Sequence, residues 1–85
     1  MQTHESSLKY GPLPESDDLA YFIRQRRQQL QMTCPEAAKL AGLSPSQWKA
    51  LESGRFPEIR ENISFTLAGT LEVPVDLIGW LAASN

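Results

Sequence analysis

Long apolar runs are missing from this 85-residue chain. None approaches the roughly 20 residues that a membrane-spanning helix needs. The opening residues Met1 to Ser7 have neither the basic start nor the apolar stretch of a secretory leader. Cysteine occurs once, at Cys34, so no disulfide can close within the chain. Together these absences give the expectation of a cytoplasmic protein. Histidine also occurs once, at His4, with no second histidine or cysteine at ligand spacing, so neither a metal site nor a cofactor is expected. The chain has no glycine-rich phosphate loop, no His/Cys cluster and no carboxylate pair placed for acid–base work, and no enzymatic activity is expected of it. Positive charge is not in excess either. The net charge is −2, which argues against tight non-specific binding to nucleic acid. A local basic face on an acidic remainder stays compatible with that balance.

What the sequence does contain is helix punctuation. Residues 1–16 read as an irregular arm, because Gly11, Pro12 and Pro14 fall within four positions. Leu8, Tyr10 and Leu13 give that arm apolar points of contact with the domain or with a protein partner. Residues 17–85 read as one domain, all-α, with five helices and no competing strand pattern.

The first helix is expected from about Asp17 to Gln31, capped by Ser16, Asp17 and Asp18, with Leu19, Phe22, Ile23 and Leu30 at helical spacing. Thr33 to Glu36 is a capping-box pattern, with Pro35 in the first turn where its missing N–H does no harm. Ala37, Ala38 and Leu40 are expected to form the apolar face of this second helix, and Gly42 to stop it. Ser44 to Gln47 is a second capping box, with Pro45 at the first helical position. Trp48 and Leu51 supply the buried face of the third helix. Gly54 ends it and Pro57 bars early resumption. Ile63, Leu67, Ala68 and Leu71 mark a fourth helix, and Pro74 opens a fifth with Leu77, Ile78 and Leu81.

Between Thr33 and Gly54, two short capped helices are joined by the tight turn Ala41, Gly42, Leu43, Ser44. Small residues stand where the helices must approach. This is the arrangement of a helix-turn-helix, whose second helix is presented to the major groove of DNA, and it also occurs in helical bundles with no such role.

Over residues 19–78 the chain resembles the lambda-repressor-like, Cro-type helix-turn-helix family. The stretches that carry the resemblance are Ile23 to Arg27, Thr33 to Ala38, Ala41 to Ser44, Trp48 to Gly54 with Pro57, and further on Leu67, Ala68, Leu71, Val73 and Leu77. The resemblance implies a compact five-helix domain that binds operator DNA as a homodimer, in the manner of a phage or bacterial repressor. It implies that Ser44, Pro45, Ser46, Gln47, Lys49 and Ala50 form the groove-facing surface of the third helix. Lys49 would then donate to a guanine edge or a phosphate, Gln47 would read adenine or hold the backbone, and Ser46 would contact either. Thr33 and Cys34 stand where the family places phosphate contacts from a helix N-terminus, and Arg55 follows as a further phosphate ligand. Arg27 and Glu52 stand at the positions of a structural ion pair. The chain departs from the family at Cys34, where glutamine is common, at Pro45 and Ala50, where polar readers are common, and at Trp48, where the residue is usually a smaller aliphatic one.

Several residues have two readings. Arg24, Arg26 and Arg27 form either a basic stripe for phosphate or a solvated helix face. Cys34 is either a thiol activated at a helix N-terminus or a small, partly buried filler. Leu77, Ile78, Trp80 and Leu81 either make the dimer interface or cover the domain's own core. An alternative to DNA binding is a protein-interaction module, an antitoxin or adaptor built on the same fold, gripping its partner by the helical surface or the arm.

Overall fold

The structure is a computed structural model, and it describes residues 12–56 and 59–84. The arm's residues 1–11, with His4, Leu8 and Tyr10, and the helix-barring Pro57 lie outside the described residues. Among those described there are five helices and no strand: α1 (Leu19–Gln29), α2 (Cys34–Ala41), α3 (Pro45–Glu52), α4 (Glu61–Leu71) and α5 (Val75–Ser84). The architecture is all-α.

α1 begins later and ends earlier than the sequence pattern suggests. Of the three candidate caps, Asp18 is the N-cap, accepting the N–H of Tyr21 at 3.0 Å. Leu19, Phe22, Ile23 and Arg26 are buried at the i, i+3, i+4, i+7 spacing of one helical face. The helix closes through Gln31, which adopts the left-handed conformation (φ 60°), so that Met32 N–H reaches back to Arg27 O at 3.2 Å. Ahead of α1, the carbonyl of Pro12 accepts from Gln29 Nε2 at 2.7 Å, which ties the chain before α1 to the far end of that helix.

α2 and α3 carry reciprocal capping boxes. Thr33 Oγ1 accepts from Glu36 N while Glu36 Oε1 accepts from Thr33 N, and Ser44 Oγ accepts from Gln47 N while Gln47 Oε1 accepts from Ser44 N. Each box stabilises its helix start by about 1 kcal/mol, and helices of 8 residues are too short to hold themselves without caps and packing. Gly42 ends α2 at φ 73°, where only glycine sits without strain. One expectation is corrected here: Leu40 is 66% exposed, and the buried face of α2 is Ala37, Ala38 and Ala41. Three methyl side chains let the α2 backbone come close to its neighbours, and Leu40, about a third of a turn off that face, is left outside.

α2 packs on α3 and α4, α1 packs on α3, and α4 pairs with α5. The shared core holds Phe22 and Ile23 of α1, Trp48 of α3, Leu67 and Leu71 of α4, and Ile78 and Leu81 of α5, all fully buried. Arg26 also enters it. Its Nε donates to Leu71 O at 2.8 Å and its Nη2 to Glu72 O at 3.4 Å, so a cation closes the carbonyl end of α4.

Candidate nucleic-acid interface

The outer surface of the α2–α3 unit is polar and open. Thr33, Ser44, Pro45, Ser46, Gln47, Lys49 and Arg55 are exposed, and Cys34 and Ala50 are half-buried. Ser44, Pro45, Ser46, Gln47 and Lys49 stand along one short stretch of α3 and its cap, above a face anchored by Trp48 and Leu51. The end of α3 is equally well defined. Gly54 is left-handed (φ 72°), Gly54 N–H donates to Leu51 O, and Arg55 N–H donates to Ala50 O at 2.8 Å, which fixes where Arg55 leaves the helix.

Capping restricts what these residues can do. Gln47 has its amide oxygen committed to Ser44 N at 2.8 Å, so only its Nε2 group remains to donate. A two-point contact to adenine, which needs that oxygen as acceptor, would have to share it with the capping box. The prolines at 35 and 45 and the caps on Glu36 and Gln47 leave one first-turn N–H at each helix start, that of Cys34 in α2 and of Ser46 in α3. Those two amides, at the positive end of their helix dipoles, are donors for an anion. The thiol of Cys34 instead faces inward, 4.0 Å from Glu52 Oε1.

Behind this surface lies a polar junction. Arg27 grips Glu52 with two parallel hydrogen bonds, Nε to Oε2 at 2.5 Å and Nη2 to Oε1 at 3.1 Å, and its Nη1 donates to Met32 O at 2.9 Å. Trp48 Nε1 donates to Glu52 Oε2 at 2.6 Å. The two charged side chains are only 12% and 10% exposed. The hydrogen bond to Glu52 holds the Arg27 guanidinium above its usual pKa, against the opposing pull of burial. A raised arginine pKa leaves the group charged throughout the working pH range. The pair joins α1 to the last residue of α3 and so sets the angle of the helix that the solvent-facing residues ride on.

The basic stripe suggested by Arg24, Arg26 and Arg27 does not exist as a surface. Arg26 and Arg27 turn inward, and Arg24 alone of the three is exposed, its guanidinium 5.9 Å from the centre of the Tyr21 ring. Sequence reasoning missed the role of Arg26 because an arginine at a stripe position has the same local pattern whether it caps a neighbouring helix or snorkels to water. Its register with Leu19, Phe22 and Ile23 was the available signal. In α5, Ile78 and Leu81 are core residues, Leu77 is half-buried, and Trp80 is 58% exposed. Of the four residues assigned to a dimer contact, Ile78 and Leu81 thus have no surface to offer. Among the described residues, no group of three or more His, Cys, Asp or Glu stands together as a metal site, and no helix is long and apolar enough to cross a membrane.

The profile of the helix-turn-helix domain family matches residues 18–79, from the N-cap of α1 into α5. The chain belongs to the helix-turn-helix domain family. A match of that extent is consistent with the lambda-repressor-like resemblance, and it points to DNA binding in regulation as the domain's role. Comparison with curated proteins and with solved structures finds no match.

Proposed function

We propose that this helix-turn-helix protein is a sequence-specific regulator of transcription, a cytoplasmic repressor of phage or bacterial type that reads double-stranded DNA with α3. The observation that carries the reading is the α2–α3 surface. It presents Ser46, Gln47 and Lys49 outward on a helix anchored from beneath by Trp48, Leu51 and Glu52. In this reading Lys49 is the principal base or phosphate contact, and Ser46 contacts bases or phosphate. Ser44, Pro45 and Ala50 provide the shape of the surface against the groove. The Cys34 amide, the Thr33 hydroxyl and Arg55 hold the phosphate backbone. Gln47 acts as a donor through Nε2 rather than as a two-point adenine reader.

Two copies associate through α5, with Trp80 and the half-buried Leu77 at the contact, so that two recognition helices meet successive major grooves about 34 Å apart. The experiment is selection of bound sequences from a random duplex pool, followed by titration of the enriched site with salt. A dimer making about six phosphate contacts loses about a thousandfold in affinity between 50 and 200 mM salt. Failure to enrich any duplex at low salt would remove the reading.

A second reading, a protein-interaction module, is favoured by one specific feature. Leu40 on α2 and Phe65 on α4 are 66% and 57% exposed, on helices that pack together, and offer large apolar side chains to a protein partner. The N-terminal arm, residues 1–16, is the other segment we assign to such a partner, on its apolar Leu8, Tyr10 and Leu13. A tight protein complex weakened by Leu40→Ser, with no duplex enriched, would favour this alternative.

A further inference from the structure

Away from the α2–α3 surface, a cleft of about 770 Å³ opens between the start of α1, the end of α3 and one side of α5. Ligand sites typically occupy about 300–1,000 Å³ and combine an apolar lining with a few placed polar groups. Leu19 and Leu51 form its apolar base, Phe56 and Ile59 one wall, and Gly79 and Ala82 the side given by α5. The hollow exists because α5 turns glycine and alanine toward it: a Cβ added at Gly79 would meet no atom within 4 Å.

Two polar groups stand in this lining. Ser64 on α4 is 8% exposed, and its hydroxyl makes no hydrogen bond among the described residues. The hydroxyl itself reaches the solvent of the cleft and is open to a group that enters it. Asp18 stands at the other end. Its Oδ2 caps α1 through Tyr21 N, while Oδ1 takes no donor among the described residues. Asp18 is the one ionisable residue among the described residues that line the cleft. The described residues of the lining thus offer an apolar body site, a hydroxyl and a single negative charge.

We propose that this cleft binds a small organic amine, with its hydrocarbon or aromatic body against Leu19, Leu51 and Phe56 and its ammonium group toward Asp18. An anion would face that carboxylate with no cation among the described lining residues to compensate. The assignment is independent of DNA binding, since none of the lining residues belongs to the recognition surface.

The test titrates the full chain, by amide chemical shifts in solution NMR, with three isosteric probes: phenethylammonium, 2-phenylethanol and phenylacetate. Phenethylammonium is expected to shift Leu19, Leu51, Ser64 and Ala82 and to bind tightest, and phenylacetate weakest. Asp18→Asn keeps a competent N-cap and is expected to lower the affinity for phenethylammonium about two- to fivefold, the range of one exposed charge pair, while leaving 2-phenylethanol unchanged. Gly79→Leu fills the hollow and favours the helix, so it is expected to abolish the shifts with the fold intact by circular dichroism. Binding that survives Gly79→Leu, equal binding of all three probes, or no shifts at these residues would each overturn the proposal.

Discussion

Trp48 and Arg27 meet on a single oxygen: the indole Nε1–H of Trp48 and the guanidinium Nε–H of Arg27 both donate to Glu52 Oε2, at 2.6 and 2.5 Å. One carboxylate thus binds α1 to α3 and fixes the rotamer of the largest residue in the core. Removing either charge leaves the other nearly buried and unpaired. Arg27→Met and Glu52→Gln are each expected to destabilise the fold by about 3 kcal/mol or more, and the double mutant by much less than the sum. A double-mutant cycle by denaturant unfolding checks this, and additive effects would mean that the pair is energetically idle.

Gln47 separates capping from recognition. Glu is as good as Gln at the third position of a capping box, but it has no amide N–H to donate and carries a negative charge. Gln47→Glu is expected to leave stability within about 0.5 kcal/mol while weakening binding to the selected duplex at least tenfold. Lys49→Ala is expected to cost about 1–3 kcal/mol on that duplex, with preference flattened at one base pair if Lys49 reads a base. Thermal unfolding and a binding titration of each variant separate the two effects.

Arg26 is tested through α4. Replacing it with Met keeps the apolar stem but strands the carbonyls of Leu71 and Glu72. The expected loss is about 2–3 kcal/mol, with faster hydrogen exchange at the end of α4 than at the start of α2. Uniform loss of protection over the whole domain would argue against a local capping role.

Gln31 pays for its position. It is exposed and left-handed (φ 60°), a conformation that costs a side-chain-bearing residue about 1 kcal/mol or more. Gln31→Gly is expected to stabilise the domain by about 0.5–1 kcal/mol, read as a rise in unfolding midpoint, since relief of strain outweighs the added freedom of the unfolded chain.

Much of this architecture is written in local signals. Both capping boxes, the glycine stop at Gly42 and the apolar spacing in α1 and α4 depend only on residues within one or two turns of each other, and the sequence by itself determined five helices and the turn that joins α2 to α3. The choice among residues with equal local credentials was decided only by tertiary packing. Leu40 and Ala41 are both apolar and adjacent, yet close approach of the helices admits the methyl group and expels the leucine. Arg24, Arg26 and Arg27 are alike in sequence, but only Arg26 meets the open carbonyls of α4 and only Arg27 meets Glu52. Ile78 and Trp80 are two residues apart on α5, and the rotation of that helix against α4 buries one and exposes the other. Caps and periods are local and short-ranged, whereas the partner of a long charged side chain and the inward face of a short helix depend on segments up to 46 residues away.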